Sequence, residues 1–154
     1  MKLLALGPAS GPMTGQRRMF EMAIEGIQLE KVVVSTGDDR NLVNFGRNMA
    51  KILNLRSSLS CVYFTPSRTL FGFYRDLIYL TPLLNKKTRI VGHIHGSDWL
   101  KFYSGLGWFN RGLFKIMYDR VNLIIVLVDE MEKEVKASGY VGPVVVIPNC
   151  VDYD

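Results

Sequence analysis

The sequence predicts a doubly wound α/β domain, a parallel sheet with helices on both faces, and three observations lead there. Short aliphatic runs recur along the 154 residues, each followed by a stretch of helical periodicity. The runs are apolar at consecutive positions, as strands covered on both faces must be. Their alternation with helices is the pattern of linked βαβ units, whose crossovers are right-handed.

Residues 2–6 read as the first strand and residues 7–15 as a glycine-rich loop. Residues 16–27 are helical, with Met19, Phe20, Ala23, Ile24 and Ile27 on one stripe. A second strand at 31–35 is followed by a polar turn at 36–41 and a helix at 42–53, whose face carries Leu42, Phe45, Met49 and Leu53. The third strand, 60–65, is stopped by Pro66. Residues 70–84 are apolar on nearly every side, which predicts a helix covered on both faces. A fourth strand at 89–94 leads into an aromatic helical segment that Gly105 and Gly107 should break. After a fifth strand at 123–128, Asp129 is the expected N-cap of a helix at 130–138, with an acidic first turn and Gly139 as its C-cap. Residues 144–147, between Pro143 and Pro148, make the sixth strand. The whole is a Rossmann-like sheet, in which ligands bind beyond the C-terminal ends of the strands. Three loops lie there: 7–15, the one after Ile94 and the one after Ile147.

Composition agrees with a single domain over residues 1–154. At 48% hydrophobic and 21% charged, the chain is neither disordered nor a disulfide scaffold. Cys61 and Cys150 stand far apart with no zinc-type spacing, which fits a reducing cytosol. Lys2 precedes only four apolar residues, whereas a signal peptide needs about 7–15. The expected location is cytoplasmic, with a peripheral place on the inner face of a membrane as the one extension. That extension comes from the charge. The formal net charge of +5 lies wholly between Lys86 and Arg120, where seven basic residues meet only Asp98 and Asp119. The same stretch holds Trp99, Phe102, Tyr103, Trp108, Phe109, Phe114 and Tyr118. Trp99, Lys101, Trp108, Arg111 and Lys115 are the candidate patch for an anionic membrane or lipid-linked acceptor. The competing reading is a core helix with a solvated basic face. No nucleic-acid module accompanies the charge, so nucleic acid is not an expected partner.

Two loops carry candidate chemistry. In the first, Gly7, Gly11 and Gly15 match neither GxGxxG nor a P-loop. Glycine at a helix N-terminus nevertheless lets an anionic ligand approach outward N–H groups, and Arg17 and Arg18 would oppose the helix dipole unless an anion compensates them. A plain flexible turn fits equally. In the second loop, His93-Ile94-His95-Gly96-Ser97-Asp98, the two histidines share a strand face. They could be structural, could begin a metal site with Asp98, or could leave His95 and Asp98 to hydrogen-bond a sugar. With no further histidine in the chain, no metal is expected. Cys61, inside an apolar strand, is expected to be inert.

Thr14-Gly15-Gln16, His95-Gly96-Ser97-Asp98 and the ending Ile147-Pro148-Asn149-Cys150-Val151-Asp152 occur in the order found in the N-terminal half of a GT-B glycosyltransferase. The chain resembles family 4 of the retaining enzymes along its whole length. The ending is the most specific of the three motifs, and Cys150 stands where that family usually has glycine. The resemblance implies an acceptor-side domain of an enzyme that transfers a sugar from a nucleotide-diphosphate sugar to a glycan or lipid-linked acceptor, without metal. It implies His95 as the catalytic residue beside the donor sugar, and Thr14, Gly15, Gln16, Gly96, Ser97 and Asp98 as substrate-binding residues. The C-terminal donor-binding domain of that family is absent from these residues, so the isolated chain is expected to be inactive. The alternative expectation is a non-catalytic module that binds glycan or lipid, or recruits a separately encoded catalytic half.

Overall fold

The structure, a computed structural model, describes residues 1–37, 41–84 and 87–148. Six strands form one all-parallel sheet: β1 (Lys2–Gly7), β2 (Glu30–Ser35), β3 (Leu59–Phe64), β4 (Arg89–His93), β5 (Leu123–Val126) and β6 (Val144–Val146). Their order is β2-β1-β3-β4-β5-β6. The chain steps outward from β1 to β2, returns past β1 to β3, and then winds the other way. The reversal therefore falls between β1 and β3, the position at which doubly wound sheets bind ligands. Register places Leu4 of β1 opposite Val32 on one side and Val62 on the other, and Val62 opposite Ile90.

The helices are α1 (Gly15–Glu25), α2 (Leu42–Leu55), α3 (Leu70–Leu80), α4 (Trp99–Ser104), α5 (Trp108–Tyr118) and α6 (Asp129–Ala137). α3 stops earlier than its apolar run, and Thr81–Leu83 tighten into a 3-10 turn around Pro82, which has no amide hydrogen to continue the helix. The break at Gly105 and Gly107 falls between α4 and α5, as expected from the sequence. At α6 the expected cap is corrected. Val128 holds the N-cap position and Asp129 is the first helical residue, where its charge still complements the helix dipole. Gly139 follows the helix at φ +86°, the left-handed position that ends it.

Strand pleating sends alternate residues to two apolar layers. Leu4, Leu6, Val62, Phe64, Ile90 and Ile124 join residues of α2 to α6 in the larger core. Leu3, Ala5 and Tyr63 face the other way and pack with Phe20 and Ile24 of α1. α1 approaches so closely that a Cβ on Gly7 would lie 2.3 Å from the Phe20 ring. At the β2 edge, Lys51 Nζ donates to the Val33 carbonyl (3.0 Å) and Asn48 Nδ2 to the Ser35 carbonyl (3.0 Å).

The prediction that α3 is covered all round is corrected. Phe73, Tyr79 and Leu80 are buried, whereas Leu70, Phe71, Tyr74 and Ile78 are exposed. The Tyr74 hydroxyl donates to Asn110 Oδ1 at 2.6 Å, so this apolar face adjoins the start of α5.

Candidate functional site

The first candidate loop runs from the C-terminal end of β1 into α1. Thr14 is the N-cap, its Oγ1 accepting from the Arg17 amide at 3.2 Å, which is why the helix starts there. Gly15 follows on an open surface, since a Cβ placed on it would meet nothing within 4 Å. Gly11 turns the loop at φ +89°, a conformation that favours glycine. Arg17 is not the uncompensated charge that the helix dipole led one to expect. Its Nε donates to Glu21 at 2.7 Å, one helical turn on, and its guanidinium also bonds the Gly11 carbonyl. Arg17 therefore finds its anion within α1 and gives no sign of an external one.

The second loop leaves β4. His93 is buried, and its Nδ1 lies 2.7 Å from the Tyr63 hydroxyl on β3. His95 stacks on His93 with ring centroids 4.0 Å apart. Among the described residues, neither ring nitrogen of His95 has a hydrogen-bond partner, nor does His93 Nε2, and all three atoms are buried. Asp98 ion-pairs with Arg68, whose guanidinium lies against the Gly96 backbone. Ser97 is exposed in the turn between them. The β4 loop is thus tied to the loop after β3. No group of three or more His, Cys, Asp or Glu side chains that could hold a metal occurs among the described residues. Cys61 is half-buried, and burial raises its thiol pKa, which makes it a poor nucleophile.

Burial sets the protonation of the histidine pair. It lowers the pKa of His93 to about 3, helped by the neighbouring His95, and that of His95 to about 4, helped by the charge of Arg68. Both rings are neutral in the folded protein, whereas in the unfolded chain they titrate near 6.5. Below that value the unfolded chain binds more protons, so stability falls as the pH drops toward 4. The thermal midpoint is expected to fall between about pH 7 and pH 5, above the ordinary carboxylate range, and to fall less in His95→Asn. A midpoint that stays level over that interval overturns the neutral pair.

Gln16 from the first loop and Asp98 from the second line one polar cavity of about 290 Å³, together with Thr36, Thr65, Ser67, Arg68 and Arg75. It opens where the winding reverses, beyond β1 and β3. Sequence reasoning named Gln16 and Asp98 but missed the β3–α3 loop that joins them. The available signal was positional: a strand stopped by Pro66 and followed by Ser67-Arg68-Thr69 at a helix start. The third loop, with Asn149, Cys150, Val151 and Asp152, lies outside the described residues apart from Ile147 and Pro148.

The candidate membrane patch divides. Trp99 is corrected to a core residue, with no exposed surface and its indole N–H donating to Ser138 Oγ at 3.0 Å. It packs among Phe102, Phe114 and Tyr118 at tilted and edge-on angles and so cannot touch a lipid surface. Trp108, by contrast, is 87% exposed, and Phe109 beside it is 57% exposed. Lys101 is exposed, Arg111 donates to the Ser104 carbonyl at 2.8 Å and lies over the Tyr103 ring, and Lys115 pairs with Asp119 at 2.9 Å. Among the described residues, no helix is long and apolar enough to cross a membrane.

The chain matches no model of a known protein family and no curated protein.

Proposed function

We propose that this chain is the acceptor-side domain of a retaining glycosyltransferase that takes a sugar from a nucleotide-diphosphate donor and works with a donor-binding domain. The observation that carries the reading is the meeting of Gln16 and Asp98 on one polar cavity at the reversal point of the sheet. These residues belong to the two motifs on which the family resemblance rests. In such a cleft the open Gly15 turn leaves room for the donor's phosphates, and neutral His95 supplies a hydrogen-bonding group for the reacting sugar. Arg68 lies over the Gly96 backbone and pairs with Asp98, which fixes the loop that carries His95. Catalysis there is positioning and electrostatic stabilisation, and needs no metal. The test is a transfer assay on this domain joined to a family 4 donor-binding domain, against the domain alone. Transfer by the pair and none by the single domain is expected; no transfer by the pair with any nucleotide sugar overturns the reading. The alternative, a non-catalytic glycan- or lipid-binding module, predicts binding of the acceptor without transfer.

The same reading places the domain on an anionic membrane surface. Trp108 and Phe109 stand out at the start of α5, next to the exposed α3 face, with Lys101 and Lys115 nearby in sequence. Each basic residue near such a surface contributes about 1 kcal/mol, enough for reversible attraction but not for an anchor. Vesicles containing phosphatidylserine are expected to sediment the protein at low salt and release it at high salt. Lys101→Glu with Lys115→Glu should abolish the binding. Equal binding to neutral vesicles, or none to either, removes the membrane from the proposal.

A further inference from the structure

The cavity between the ends of β1 and β3 contains a group that the fold itself leaves unsatisfied. Thr65 is 4% exposed, its Oγ1 has no hydrogen-bond partner among the described residues, and it lines the cavity. A buried hydroxyl without a partner costs about 1–3 kcal/mol, and valine would fill the same volume without that cost. Thr65 directly follows β3, and its amide donates to the Leu6 carbonyl at 3.0 Å, so the sheet holds its backbone and leaves its hydroxyl over. A hydroxyl kept here is explained by a ligand that supplies its partner.

The surroundings define what that ligand is. Gln16 lies in the first turn of α1, and Thr69 is the N-cap of α3, an 11-residue helix, so two helix N-termini converge on one cavity. Their unpaired N–H groups present positive potential. Thr69 Oγ1 is occupied by the Gly72 amide, and the Ser67 amide by Asp76, so those partners belong to the fold. Arg75 is likewise held, by Asp76 and by the Thr36 carbonyl at 3.1 Å. Arg68 is different. Its counter-ion Asp98 is more than half exposed, and burial lowers the guanidinium pKa, the mark of a cation only partly compensated. An incoming anion can take the place of Asp98 on Arg68, because a phosphate offers more oxygens than the carboxylate, and Arg68, Thr65 and the α3 N-cap Thr69 line the same cavity.

We propose that this cavity is a phosphate-binding site, in which Arg68 and Thr65 hold the phosphate monoester of a small polyhydroxylated molecule at the N-terminus of α3. The volume of about 290 Å³ admits the phosphate and a few carbons, with Gln16 and Thr36 left to meet hydroxyl groups. The inference rests on the glycosyltransferase reading only in one respect: there, the ligand is the acceptor and carries a phosphate. The binding site stands on its own geometry and fails or survives independently of transfer.

Calorimetric titration of the 154-residue chain with glycerol 1-phosphate, inorganic phosphate and glycerol tests it. Saturable binding is expected for the two phosphates and none for glycerol, with glycerol 1-phosphate the tighter. Arg68→Gln should weaken binding by at least about tenfold, the loss of a charge-assisted hydrogen bond. Thr65→Val should weaken it several-fold while leaving the thermal midpoint of the free protein unchanged or raised, an outcome that a merely structural hydroxyl would reverse. Vesicles containing phosphatidic acid distinguish the sources of the phosphate. If they compete with glycerol 1-phosphate and need Arg68 and Thr65, the site takes a lipid headgroup; if they do not compete, it takes a free phosphate ester. Absence of phosphate binding, or binding unchanged in both variants, overturns the proposal. A domain that binds phosphate but never transfers sugar keeps this site and loses only the glycosyltransferase reading.

Discussion

If the proposed reading holds, His95→Ala is expected to lower sugar-transfer turnover by at least about a hundredfold in an enzyme that pairs this domain with a donor-binding half, the scale of removing one positioned polar group from a reacting centre. The effect should fall on kcat, because a neutral imidazole that meets the sugar only as the cleft closes contributes little to binding in the ground state. His93→Ala separates geometry from chemistry. His93 holds the Tyr63 hydroxyl through Nδ1 and packs against the His95 ring, so its loss leaves the Tyr63 hydroxyl without its buried partner and lowers stability. At a temperature where both variants are folded, His93→Ala should therefore retain far more activity than His95→Ala. Wild-type turnover in His95→Ala would remove His95 from the mechanism and leave it a buried histidine stacked for packing alone.

Trp99→Ala destabilises the domain by about 3–5 kcal/mol, whereas Trp108→Ala changes it by no more than about 0.5 kcal/mol. Trp99 is enclosed on every side, its ring 5.4–6.2 Å from those of Phe102, Phe114 and Tyr118 by centroid, and its loss also leaves Ser138 without the indole donor. For a domain of this size the first change lowers the thermal midpoint by on the order of 10 °C. Thermal unfolding of the two variants side by side is the measurement. Equal effects would show that the two tryptophans share one environment and would return Trp99 to the surface.

That contrast marks where the sequence was legible and where it was not. Short runs rich in β-branched residues, such as Leu123-Ile124-Ile125-Val126, were legible as strands, because their length and branching fit a buried strand better than a helix. The break at Gly105 and Gly107 was legible because glycine acts through a local backbone effect, whereas the stop that Pro82 imposes on α3 is hidden in the sequence by the apolar run around it. Which face of an apolar helix is covered is not local. Leu70 and Phe73 look alike in the chain, but Phe73 is buried against Phe102 of α4 and Phe114 of α5 while Leu70 stays exposed. The same limit applies to the site. Glycine and histidine motifs drew attention to Gly15 and His95, but Thr65 and Arg68 belong to no motif. They become a site because the winding reverses between β1 and β3, a property of strand order. Arg17 shows the converse: a charge opposed to the helix dipole looked unbalanced until the turn geometry brought Glu21 to it.

The bonds made by Lys51 and Asn48 have a consequence for assembly. β2 ends the sheet, and an edge strand is open to lengthwise addition by another chain wherever its outward carbonyls are free. The Thr36 amide bonds inward to the Gly7 carbonyl, so by alternation Val33 and Ser35 point outward, and these are the two carbonyls that Lys51 and Asn48 occupy. A strand that tried to extend the sheet there would have to displace both side chains and strand a lysine charge. At the opposite edge, β6 offers three residues between Pro143 and Pro148, too few for a stable ladder. The width of the sheet is therefore capped at both ends, and on the β2 side the cap is α2, a helix that carries none of the residues assigned to binding or catalysis.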